Sequence, residues 1–171
     1  NNTIDLSTYP DVILEFEQRY RAFNSERTIV ELSTDGATWT EVEVNIDVIT
    51  NDPAIQNLVR VDVSPYIGGS ATARVRFRWE ELSGDDSFGS GYGWMVDDVS
   101  IVTKPDNDIK TGGNDWGSLG LHYYQIPLTQ VAPIDFWTSI SNEGSDNQTG
   151  VMLNVDVNSG ATTGASAGMA I

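Results

Sequence analysis

Four carboxylates flank one glycine-rich stretch: Asp85 and Asp86 lie within the run Gly84–Gly93, and Asp97 and Asp98 follow it. Strand alternation that turns Met95, Val99 and Ile101 inward turns Asp97 inward with them and sends Asp98 to the other face. A buried lone carboxylate costs several kcal/mol unless a partner answers it. Calcium takes roughly six to eight oxygen ligands, backbone carbonyls included. Asp97, Asp98 and Asp85 are therefore candidate ligands of a structural calcium ion, with arginine-paired or hydrogen-bonded carboxylates as the alternative. The spacing does not match an EF-hand loop. The same run carries Phe88, Tyr92 and Trp94 among glycines. Such a group suits an aromatic platform for a sugar ring; the alternative is that Trp94 covers the edge of a β core.

Other groups with chemical capacity are fewer. Arg74, Arg76 and Arg78 alternate along one strand face. Like charges in that position repel unless acids lie across from them, and Glu41, Glu43, Glu15, Glu17 and Asp62 are the candidates. The alternative is an exposed stripe for an anion such as an acidic glycan. The single histidine, His122, sits beside Tyr123 and Tyr124, with no serine in a nucleophile-elbow context. The pairs Glu80-Glu81 and Asp85-Asp86 have the chemistry of glycosidase acids, but adjacent loop acids commonly face solvent. Cysteine is absent, which removes disulfides, thiol catalysis and cysteine zinc sites.

The elements that must position these residues read as β throughout. Period-2 alternation marks strands at Val12–Tyr20, Thr28–Leu32, Thr40–Ile46, Leu58–Val63, Arg74–Trp79 and Trp94–Val102, with Leu82–Gly93 as a loop. Asp35-Gly36 makes a hairpin of the second and third. Ser64-Pro65-Tyr66 and Gly68-Gly69 mark a turn or short ordered loop. Beyond Thr103 the expected strands are Tyr123–Leu128, Ile134–Ile140 and Val151–Val157, with a turn at Asn142–Gly150. The tail Asn158–Ala170 is Gly, Ala, Ser and Thr and reads as linker. No helix of ordinary length is expected.

The charge excludes several partner classes. The chain has 171 residues, 25 acids, 9 bases and a net charge of −16. A surface this negative repels phosphate backbones and anionic membranes, so neither nucleic acid nor membrane insertion is expected. No apolar run approaches the roughly 18 residues needed to span a bilayer. Sixteen aromatic residues, five Trp, six Tyr and five Phe, argue for a packed core rather than disorder. After Lys110 there is no Lys or Arg. A domain boundary is expected at Thr103–Asp108, dividing residues 1–103 from 104–171. The second part offers about three strands against the roughly seven of a β-sandwich, so later chain or another subunit is expected to complete it. The chain opens on Asn1 and not on methionine, so an upstream part is expected to have been removed, cut off or never built.

Two resemblances follow from these residues. Ser33-Thr34-Asp35-Gly36-Ala37-Thr38-Trp39 is similar to the Asp-box hairpin, one residue short; that hairpin is a folding element of unrelated β proteins. More broadly, five pieces resemble the MAM-like, cleaved-adhesin jelly-roll modules of secreted Bacteroidetes surface proteins. These are Leu14-x-Phe16, the hairpin with Trp39, Val61-Asp62-Val63-Ser64, Val75-Arg76-Phe77 and Trp94-Met95-Val96-Asp97-Asp98-Val99. The likeness spans about residues 3–103 and lacks the Trp-containing front of such modules, so the front is expected to be truncated. Residues 106–157, through Ile126-Pro127…Gln130 and Ser141-Asn142-Glu143-Gly144, resemble the opening strands of an immunoglobulin-like module.

The resemblance implies an all-β protein: an antiparallel jelly-roll sandwich followed by a partial immunoglobulin-like β-sandwich. It further implies an extracellular or cell-surface location, export by a type IX system and structural calcium. The leading expectation is a non-catalytic adhesion or recognition module of a larger bacterial protein, meeting a glycan or protein at a cell surface. The alternatives are a carbohydrate-binding module on a secreted hydrolase or protease, and a filament subunit completed by a strand from another copy of itself.

Overall fold

The computed structural model describes residues 2–23, 26–81, 91–116, 135–157 and 162–171. The chain is all-β, built from several small antiparallel sheets, and divides into two units at Lys104/Pro105. No helix among the described residues is long and apolar enough to cross a membrane.

The first unit, Asn1–Lys104, holds two three-stranded sheets. One runs β4 (Ile55–Asp62), β1 (Val12–Tyr20), β6 (Trp94–Thr103); the other runs β3 (Thr40–Val44), β2 (Glu26–Ser33), β5 (Arg74–Glu81). Alternation decides which side chains turn in. Val12, Leu14 and Phe16 of β1 meet Val30 and Leu32 of β2 in one apolar cluster, joined by Val61, Val63, Ile67 and Ala73. The rings of Phe16, Phe77 and Trp94 meet edge to face, with centroids 5.0, 5.9 and 5.5 Å apart. Both sheets thus feed a single core. The expected turn after β4 is a one-turn helix, α1 (Ser64–Ile67), that buries Ile67.

The Asp35 turn is held as its residue types suggest. Asp35 Oδ1 accepts the backbone N–H of Ala37 and of Thr38, each at 2.8 Å, and the Ser33 hydroxyl at 3.0 Å. Gly36 sits at φ 77°, where a side chain is strained, and its N–H donates to Ser33 Oγ. These amide hydrogen bonds hold the Asp35 carboxyl down at about 2.

The arginine row is answered mainly by neighbours in its own sheet. Arg76 donates to Glu31, and Arg78 is paired with Glu31, Glu41 and Glu80. Glu43 pairs with Arg27 instead, Glu15 with Arg60, and Asp62 with Lys104. Arg74 makes no ion pair among the described residues; its guanidinium lies against Gly36 and donates to the Thr72 carbonyl. The Arg76 guanidinium covers the Trp39 ring at 3.9 Å.

In the second unit, Pro105–Ile171, β7 (Ile109–Trp116) pairs with β8 (Phe136–Asn142), and β9 (Asn154–Val157) with β10 (Thr162–Ala165). Two of these differ from the sequence expectation. No strand is expected over Ile109–Trp116, yet β7 forms there, with Gly112 and Gly113 making an irregularity between Thr111 and Asn114, opposite Ser139. The tail is not all linker. Thr162–Ala165 pair by backbone with Asn154–Val157, which needs no large side chain, and Met169 bridges to Val151. The expected strand Tyr123–Leu128 lies outside the described residues.

Candidate binding groove

The strand carrying the candidate carboxylates changes face midway. Glu17 pairs with Asp97 and Glu15 with Ser100, so Phe16 opposes both Asp98 and Val99. Asp98 takes φ 48°, the left-handed conformation that completes this β-bulge. One extra residue inverts the inward–outward parity. Trp94 and Val96 therefore face the core before the bulge, and Ile101 after it.

This corrects the sequence reading. Met95 and Val99 are 63% and 50% exposed, and Asp97 is exposed with them. Asp97 is therefore no buried carboxylate in need of a cation. Asp97 Oδ1 instead accepts the backbone N–H of Asp98. Among the described residues, no group of three or more His, Asp or Glu side chains is gathered closely enough to hold a metal ion. Asp85, Asp86, Phe88 and His122 lie outside the described residues.

The two remaining aromatic candidates part company. Trp94 turns inward against Phe16 and Phe77, and its Nε1 donates to Gln18 Oε1 at 2.8 Å. Tyr92 stays at the surface, 52% exposed. It is held by an edge-on contact with Phe23, centroids 5.4 Å apart, and by the Arg21 guanidinium 4.1 Å from its ring centre.

Tyr92 lines an open groove of about 550 Å³ at the end of β1. The β1–β6 register places Arg19 beside Met95 and Tyr20 beside Trp94. Gly93, at φ 88°, lets the chain swing from Tyr92 into β6. The opposite wall is the segment before β4, tied down when Asn51 N–H donates to the Ala22 carbonyl at 2.9 Å. Arg21 fixes that wall further, donating through Nε to Asp52 O at 3.1 Å and through Nη2 to Asn51 O at 3.3 Å. Burial, then the charges of Glu26 and Glu43, push the Tyr20 phenol up, so it stays protonated.

Sequence reasoning picked out Tyr92 but missed Arg19, Arg21 and Asn51. Arg19 alternates outward with Glu15 and Glu17, and Arg21 lies just past the end of the strand. Nothing local says that the segment near Asn51 folds back beside them.

The known proteins add no analogue: no family model matches the chain, and neither does any curated protein or solved structure.

Proposed function

We propose that the chain is a non-catalytic recognition module of an extracellular or cell-surface protein, and that the groove beside Tyr92 receives its ligand. One observation carries this reading. A half-exposed aromatic ring is fixed at the rim of a groove whose volume falls within the roughly 300–1,000 Å³ of small-ligand sites. Tyrosine offers a rigid apolar face at low entropic cost and suits stacking against a sugar ring. In the same reading the first unit is a jelly-roll sandwich; two three-stranded antiparallel sheets sharing one core support that. Calcium at Asp85, Asp97 and Asp98 rests on the resemblance alone, and an equal melting temperature in calcium and in EDTA removes it.

A glycan array probed with the chain and with Tyr92→Ala tests the main proposal. Binding that drops at least tenfold in the variant supports it. Binding that is indifferent to Tyr92, or absent on every glycan and on isolated surface proteins, overturns it.

A further inference from the structure

We infer that this groove selects a carboxylate-bearing saccharide, with the carboxylate on Arg19 and Arg21 and the sugar ring against Tyr92. The inference rests on the reading of the groove as a binding site and adds the ligand's charge.

Of the nine Lys and Arg residues, Arg27, Arg60, Arg76, Arg78, Lys104 and Lys110 are ion-paired. Arg19, Arg21 and Arg74 make no ion pair among the described residues, and two of these three line this one groove. In a chain with 25 acids such company is unexpected, yet no described residue lining the groove is Asp or Glu.

The two guanidinia divide the work. Arg21 is held in place by two backbone carbonyls and the Tyr92 ring, so little freedom is lost when a ligand binds. Arg19 makes no hydrogen bond through its side chain among the described residues, leaving its planar fork free for a bidentate carboxylate. Exposed Met95, opposite Arg19 in the ladder, adds an apolar contact beside it. One fixed ring, one free fork and a pre-tied wall match a rigid ring bearing one carboxylate better than a peptide with many rotors to order.

The net charge does not forbid this. Screening limits exposed charges to about 8 Å at physiological salt, so contact chemistry at the guanidinia outweighs the distant acids. The acids nearby include Glu17 and Asp97, which line a neighbouring hollow with Arg19 and Met95, Asp52, whose backbone carbonyl accepts from Arg21, and Glu26, whose charge reaches Tyr20.

The test titrates the chain with oligogalacturonate and sialyllactose, each beside its neutral counterpart, galacto-oligosaccharide and lactose. Chemical shifts of the Tyr92 ring and Met95 methyl report the site, at low and high salt. The acidic sugars are expected to bind about tenfold tighter than the neutral ones, with the advantage lost at high salt. Arg19→Gln is expected to abolish that preference without moving the melting temperature; Glu17→Gln is expected to strengthen acidic binding a few-fold. Equal, Tyr92-dependent binding of acidic and neutral sugars overturns the inference and leaves the recognition reading standing. Shifts caused by an oligoglutamate peptide but by neither acidic sugar overturn it in favour of a protein ligand. No shift with any probe overturns it outright, and the array then decides the broader reading.

Discussion

Trp94 Nε1 and Gln18 Oε1 meet at 2.8 Å inside the first unit, binding the start of β6 to β1 through side chains as well as backbone. Gln18 is 3% exposed, on the core face of β1. Its Nε2 donates to Asn45 Oδ1 and Asn57 Oδ1, while Asn45 Nδ2 donates to Gln18 Oε1 and Thr28 Oγ1. The network therefore reaches both sheets with every amide atom of Gln18 engaged, the condition on which a buried polar group is tolerated. Gln18→Leu strands donors and acceptors on Asn45, Asn57 and Trp94 and is expected to cost about 3 kcal/mol; Trp94→Phe removes one donor and is expected to cost about 1–2 kcal/mol. Urea unfolding midpoints at constant slope check both.

Asp35 makes stability at the hairpin pH-dependent. Its folded carboxyl sits at about 2, against 3.8 for the free group, because Thr38, Ala37 and Ser33 hydrogen-bond its ionised form. A depressed folded value means the contribution is complete above the unfolded value and is lost as pH falls toward the folded one. The stability gap between the native chain and Asp35→Asn is expected to be constant from neutral pH down to about 5, and to shrink between about 4 and 2. Denaturant titrations across that range test it; a gap that grows on acidification is the contrary result.

Glu31 and Arg74 set a contrast within one sheet. The hydrogen bond from Arg76 holds the Glu31 carboxyl low, against burial that works the other way. Glu31→Ala leaves Arg76 and part of Arg78 unanswered and is expected to cost about 1–2 kcal/mol, modest because Arg76 is half exposed. Arg74→Ala removes no ion pair and is expected to stay within about 0.5 kcal/mol. Paired thermal melts distinguish the two.

The bulge gives a prediction with opposite signs at one position. Asp98 at φ 48° pays a left-handed penalty that glycine avoids and a β-branched residue increases. Asp98→Gly is expected to be neutral or stabilising by up to about 1 kcal/mol, and Asp98→Val to destabilise by about 1–2 kcal/mol. If both variants behaved alike, the bulge would not lie at Asp98.

Much of the first unit was legible because its strands alternate cleanly. Leu14, Phe16, Val30, Leu32 and Phe77 all fall on the faces that alternation assigns. Reading failed where parity is not continuous. From Ile101 backward, period 2 turns Asp97 inward; one added residue at Asp98 turns it out, and no single side chain in Trp94–Ile101 announces that step. Gln18 escaped notice for a related reason: a polar residue among apolar ones on a core face implies partners, but they come from two other strands, β4 and β6, and a loop. At the groove, Tyr92 was visible by type, whereas Arg19, Arg21 and Asn51 become neighbours only through the pairing of β1 with β6 and the fold-back of the chain before β4. In the second unit, backbone pairing alone makes strands of Ile109–Trp116 and Thr162–Ala165, where side-chain periodicity carries no signal.

The bulge at Asp98 also bears on which parts of the surface can recruit another chain. Among the described residues β6 is paired on one side only, with β1. A straight strand in that position offers a row of free amides and carbonyls on which a second copy can dock and aggregate. The kink at Asp98 interrupts that row midway, and the exposed carboxylates of Asp97 and Asp98 place two negative charges on the same strand. Exposed Met95 and Val99 can therefore sit there without making β6 an adhesive rim.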